Sequence, residues 1–206
     1  MQFETFAPLL QFPFITHAFT LRTNEDTKAD DFEGRALAAL GFSPARFASA
    51  EQTHGSGAAV IFETTGERVP LVDALATSVR NLPLVIRCAD CAAVFIVDRR
   101  TPAIALVHSG KKGTVANIVG STVTTMRQKF GTNPADCTSF ISPSIGPCHY
   151  EMDLWSRLEH QLRQTGVSDI HNPRICTACH LDRYFSYRAE KGQTGRMFAV
   201  LALASP

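Results

Sequence analysis

The chain has 206 residues, 45% hydrophobic and 19% charged, enough to bury a substantial core in one domain over 1–206 without disulfide or metal staples. A formal net charge of +1 with scattered basic residues leaves no stripe to hold a polyanion, so nucleic acid is not expected as a partner. The apolar stretches fall far short of the roughly 20 residues that a spanning helix needs, so no membrane span is expected.

The N-terminal stretch carries Glu4 where an export signal needs positive charge, and Pro8 and Pro13 interrupt its apolar run. A cytoplasmic protein is therefore expected. The six cysteines, Cys88, Cys91, Cys137, Cys148, Cys176 and Cys179, then read as thiols or ligands and not as a disulfide framework.

In chain order, Phe14 to Thr20 reads as a strand, Arg22 to Asp31 as a polar loop, and the next segment as a helix anchored by Leu37 and Leu40 and stopped by Gly41. The middle is strand-rich, with short β-branched runs near 47–50, 58–62, 71–77, 84–87, 92–97 and 103–107. Apolar residues from Val115 to Met126 at helical spacing predict one helix over 115–130, closed by Gly131. A strand near Phe140 leads into the turn 143–147, and Asp153 caps a helix with an apolar face of Leu154, Leu158 and Leu162. Met197 to Leu203 forms a last strand. Strands and helices do not alternate strictly, so the expected class is α+β: a mixed, largely antiparallel sheet core with helices packed outside.

The stretch from Cys91 to His108 has two apolar runs around Asp98-Arg-Arg-Thr-Pro102, the pattern of a hairpin. With Arg99 and Arg100 as a two-residue loop, Cys91 stands opposite His108, their β-carbons roughly 4.5–5.5 Å apart, close enough to share a metal or a proton. A four-residue loop leaves the two diagonal, and the connection lacks the Asn-Gly chemistry of the tightest turn. His54, in Gln52-Thr-His-Gly55, sits at a strand end beside glycines that let a ligand approach the backbone. Taken singly, a cysteine in an apolar strand is more often buried filler than a ligand. The hairpin geometry and the glycine-flanked histidines together raise the functional reading.

Gln52-Thr-His54-Gly, Asp73-Ala-Leu-Ala-Thr77, Ala89-Asp-Cys91, His108-Ser-Gly110, Ser144-Ile-Gly-Pro147, Cys176-Thr-Ala-Cys179 and Phe185-Ser-Tyr-Arg188 stand in an order that resembles the laccase-domain (YfiH-like) family. The resemblance covers most of the chain. It implies a cytoplasmic enzyme, formerly labelled multicopper polyphenol oxidase, that acts on purine nucleosides by phosphorolysis and by adenosine deamination. It also implies zinc held at His54, Cys91 and His108, and a fold shared with a bacterial toxin deamidase. Two departures stand out: Lys111 and Lys112 replace the family's Trp and Arg, and the glycine-rich segment after Thr-Arg is missing beyond Arg22.

Two histidines and one cysteine leave a fourth zinc position open for water or a substrate oxygen, and zinc lowers the pKa of bound water toward about 7. Phosphorolysis also needs cations for phosphate, for which Arg22, Lys111 and Lys112 are the candidates. Asp90 is read as a histidine-orienting group, a base or a strand-end cap. The expected partners are a purine nucleoside and phosphate, and the expected assembly is a monomer or small homo-oligomer.

Copper is the alternative metal, in a phenol oxidase; a multicopper site must bind mononuclear and trinuclear copper, and this chain has seven histidines in total. A thiol-hydrolase relative with reduced activity is the third reading. Cys176-Thr-Ala-Cys-His180 fits a c-type haem pattern only in an exported chain, and a zinc reading lacks a second Cys-x-x-Cys nearby, so the pair is expected to be structural. Cys148 and His149, after a Gly-Pro turn, read as packing residues ahead of the alternative that they lie near the site and contact substrate, and Cys88 is expected to point away from Cys91.

Overall fold

The computed structural model describes residues 1–25, 27, 31–63 and 68–205. Its strands are β1 (Phe3–Glu4), β2 (Ile15–Thr20), β3 (Ala48–Ser49), β4 (Ala58–Val60), β5 (Ala74–Thr77), β6 (Leu84–Cys88), β7 (Ala92–Asp98), β8 (Ile104–Ser109), β9 (Cys137–Ile141), β10 (Asp169–His171) and β11 (Met197–Leu203). The helices are α1 (Ala7–Leu10), α2 (Phe32–Ala39), α3 (Lys111–Val115), α4 (Ile118–Phe130) and α5 (Leu154–Thr165). The loop expected over 22–31 falls partly outside the described residues.

Two sheets form, in the orders β1-β2-β11-β6-β3 and β10-β9-β7-β8-β5-β4. The parallel pairs, β3 with β6, β4 with β5 and β9 with β10, involve the edge strands, and the interior pairs are antiparallel. The α+β expectation with a mixed, largely antiparallel core therefore holds.

Alternation along the strands explains the layering. In β7, Ala93, Phe95 and Val97 point into a core shared with Phe19, Leu84, Ile86, Ala199 and Leu201 of the first sheet. Ala92, Val94 and Ile96 point the other way, onto Ile118, Val119, Val123 and Met126 of α4 and Leu158 and Leu162 of α5. On the outer face of the first sheet, Val85, Phe198 and Val200 meet Phe32 and Leu37 of α2. The result is a sheet-on-sheet sandwich with a helical layer on each side.

Two local expectations are corrected. The hairpin register pairs Ala93 with His108 and Val97 with Ile104, so Cys91 is diagonal to His108 and not opposite it. The cause is Asp98, whose Oδ1 accepts from the backbone N–H of Arg100 and of Thr101, both at 2.9 Å, and closes a longer loop over 99–102. The single helix over 115–130 is instead α3 and α4, separated at Asn117, which takes a left-handed backbone with φ 56°. Asparagine tolerates that conformation, and its side chain lies against Gly120, where a β-carbon would collide with it.

Candidate metal centre and cleft

The chain crosses between the sheets twice at one end of the sandwich, and both crossings feed the same place. Residues 50–57 lead from β3 in the first sheet to β4 in the second and carry His54; residues 89–91 lead from β6 to β7 and end in Cys91. His108 comes from β8 in the second sheet, on the same face as Ala93 and Phe95. Ligand atoms of His54, Cys91 and His108 lie within 4.8 Å of one another, and the two imidazoles meet edge-on with centroids 4.9 Å apart.

Each position is held by its surroundings. His54 and Gln52 have φ of 62° and 66°, a backbone region that non-glycine residues seldom adopt. Asp73 secures the first by accepting the His54 N–H at 2.9 Å on Oδ1 and the Gly55 N–H at 2.8 Å on Oδ2. Gln52 is locked to β6 by donating to the Arg87 carbonyl at 2.7 Å and accepting the Arg87 N–H at 2.9 Å. Opposite Cys91 stands Gly110, whose missing side chain makes room for the thiol: a β-carbon there would fall 2.6 Å from Cys91 Sγ.

Asp73, part of a family motif in the sequence, has a role at the site that sequence reasoning missed. It lies directly before β5, across from His108, and Oδ1 is 2.8 Å from His108 Nδ1 with both side chains buried. That contact assigns the proton to Nδ1 and leaves Nε2 free to face the cluster. An acid at the head of the apolar run 74–76 was the available signal.

Burial opposes charging Cys91, but the facing His108 and His54 outweigh it and draw the thiol well below its ordinary range. Burial likewise opposes charging His108, and the Cys91 sulfur and Asp73 carboxylate override it and raise the imidazole. The pair thus favours a thiolate, the form that binds metals and attacks carbon.

Asp90, with φ 85°, supports the turn. Its Oδ1 accepts from Thr177 Oγ1 at 2.7 Å, Oδ2 from the Arg188 N–H at 2.7 Å, and its carbonyl from the Ile145 N–H at 2.8 Å. Both carboxylate oxygens are engaged, so Asp90 is a brace for Cys91. Cys88 ends β6 in the first sheet, is buried, and has its thiol pKa pushed far up by that burial. What separates it from Cys91 is the 89–91 turn between sheets, not alternation along one strand.

The cluster lies in a cleft of about 860 Å³ whose walls include Ile145, Tyr150, Leu154, Tyr187 and Phe198. Lys111 and Lys112 line it as the opening turn of α3, with Lys111 paired to Glu151 at 2.9 Å. Arg68, Arg87, Arg188 and Arg196 line it as well, cations that the sequence reading did not select. Arg22 is not among the lining residues: its guanidinium is 2.6 Å from Glu190 and stacks 4.7 Å from the Phe185 ring centre.

A family model described as "Multi-copper polyphenol oxidoreductase laccase" matches residues 20–153 and 149–204. A Streptomyces coelicolor protein named purine nucleoside phosphorylase is 33% identical over 193 residues, covering 79% of this chain and 78% of that protein. A Deinococcus radiodurans protein of the same name is 30% identical over 244 residues, covering 95% and 93%. Among solved structures, YlmD from Geobacillus stearothermophilus superposes with a TM-score of 0.87 at 23% identity, covering 94% of this chain and 93% of that one. No helix among the described residues is long and apolar enough to cross a membrane.

Proposed function

Because the chain belongs to the multi-copper polyphenol oxidoreductase laccase family, we propose that it is a zinc-dependent purine nucleoside enzyme. The proposed reactions are phosphorolysis of adenosine, inosine and methylthioadenosine, and deamination of adenosine. The naming of its relatives as purine nucleoside phosphorylases supports the substrate class. The observation that carries the chemistry is the convergence of two imidazoles and one thiol, with a buried carboxylate behind His108, in a cleft with cationic walls.

The donor set fits a catalytic zinc: His54, Cys91 and His108 supply three ligands of accepted type, and a fourth position remains for water or substrate. When bound there, zinc supplies Lewis acidity and a water of lowered pKa. The protein's own contributions follow from the geometry. Asp73 holds the His108 proton on Nδ1, and Gly110 leaves space for the Cys91 sulfur. Tyr150, Tyr187 and Phe198 offer flat or apolar surface for a purine, and Lys112 and Arg188 offer charge for phosphate. In phosphorolysis a phosphate oxygen bonds the ribose carbon as the bond to the purine nitrogen breaks, and that nitrogen takes the electron pair and a proton.

Incubation with adenosine or inosine, with and without phosphate, tests the proposal. Free base released only with phosphate supports phosphorolysis, and inosine from adenosine supports deamination. The absence of both products from metal-loaded protein would exclude the reading.

A second reading has its own observation. Asp73, His108 and Cys91 are arranged as orienting acid, base and nucleophile, which suits a thiol hydrolase. Turnover that survives chelation but not Cys91→Ser would favour it. Several coppers per chain would favour polyphenol oxidation instead.

A further inference from the structure

Outside the cleft, a second cluster forms where two loops meet. Ser144 and Cys176 form a short parallel bridge, with the Thr177 N–H donating to the Ser144 carbonyl at 3.2 Å and the Ser144 N–H to the Ile175 carbonyl at 3.1 Å. Beyond the bridge, one loop presents Cys148 and His149, and the other presents Cys176 and Cys179 on a single 3-10 turn. The two loops are about thirty residues apart in sequence, which hid the match from spacing rules.

We propose that Cys148, His149, Cys176 and Cys179 form a second zinc site, structural in kind. Three thiols and one imidazole are a recognised closed zinc set with no position left for substrate. Ligands about 2.3 Å (sulfur) and 2.0 Å (nitrogen) from a tetrahedral ion lie roughly 3.8 Å apart for sulfur pairs and roughly 3.5 Å apart for sulfur and nitrogen. The Cys148 and Cys179 sulfurs are 3.6 Å apart, and His149 Nδ1 is 3.3, 3.7 and 3.5 Å from the sulfurs of Cys148, Cys176 and Cys179. All four ligand atoms fall within 4.8 Å of one another.

The backbone is set for the same role. The Gly146 N–H donates to Cys176 Sγ at 3.2 Å, a contact that stabilises a thiolate. Cys176 is buried while Cys148 and Cys179 are exposed, which gives an ion a path of entry. Binding releases a proton from each thiol, so retention weakens in acid.

The site braces the cleft. Ile145 and Thr177, one on each clamped loop, hold the Asp90 carbonyl and carboxylate at 2.8 and 2.7 Å, and Asp90 precedes Cys91. Tyr150, adjacent to His149, lines the cleft itself.

The test is zinc content of protein purified under reductant, with cobalt spectra as a second readout. Wild type should hold about two zinc ions per chain, and Cys148→Ser, Cys179→Ser and Cys91→Ser about one each. Apo Cys91→Ser titrated with Co²⁺ should give the intense thiolate charge-transfer bands of a tetrahedral site, lost on adding Cys179→Ser. Zinc content unchanged by Cys148→Ser and Cys179→Ser, with no such spectrum in Cys91→Ser, would overturn the proposal. So would a native mass lighter by two hydrogens with Cys148 joined to Cys179. Retention of one ion in Cys91→Ser supports this site whatever the fate of the first.

Discussion

Asp73 Oδ1 lies 2.8 Å from His108 Nδ1, and the same carboxylate accepts the backbone N–H groups of His54 and Gly55. One buried side chain thus orients two of the three proposed zinc ligands, one through its ring and one through its backbone. Asp73→Asn keeps the size but replaces one acceptor oxygen with an N–H donor. Zinc affinity, measured by chelator competition, should fall by about 10–100-fold. Unchanged affinity would show that His108 needs no partner.

Gly110 makes a steric prediction. Its φ of −98° is open to any residue, so alanine there costs no backbone strain. The added β-carbon would fall 2.6 Å from Cys91 Sγ, and the sulfur must move. Gly110→Ala should lower stability by about 1–3 kcal/mol in denaturant melts and weaken metal retention.

Cations of the cleft separate by position. Lys112 lines the cleft and has no ion-pair partner among the described residues, whereas Arg22 is bound to Glu190 outside it. Lys112→Ala should raise KM for phosphate by about tenfold, the worth of one charged hydrogen bond. Arg22→Ala should leave KM unchanged and lower Tm. The opposite pattern in phosphate-dependence kinetics would restore Arg22 as a phosphate ligand.

His17 gives a pH dependence free of the metal centre. Burial lowers its pKa from 6.5 to about 4, and an Nε2 that accepts the Phe6 N–H at 2.8 Å is occupied in the neutral form. Below pH 6.5 the unfolded chain gains a proton on His17 that the folded chain refuses until about pH 4. Stability from this residue is therefore lost as pH falls through that window, at up to about 1.4 kcal/mol per pH unit. Melts of wild type and His17→Gln should diverge in slope there; parallel slopes would refute the assignment.

Much of this was legible locally. Short β-branched runs gave most strands, though not β1 or β10, Asp153 with Leu154, Leu158 and Leu162 gave α5, and the family resemblance rested on motifs spread along the chain. What escaped depended on contacts across the fold. The hairpin register turned on which backbone groups Asp98 would accept, and the break before α4 on one left-handed Asn117. Cys148 and His149 looked like packing because their partners at 176 and 179 arrive through the Ser144 bridge. The role of Asp73 needed the pairing of β5 with β8, which extends to the Asp73 carbonyl and the His108 N–H at 2.7 Å.

The most direct test is inosine cleavage with phosphate, followed as zinc is titrated into apo wild type and apo Cys91→Ser. Base release should rise with occupancy of the His54, Cys91 and His108 position in wild type and stay at background in the variant. Equal rates in apo and loaded wild type, or full activity in Cys91→Ser, would contradict the assignment of this centre.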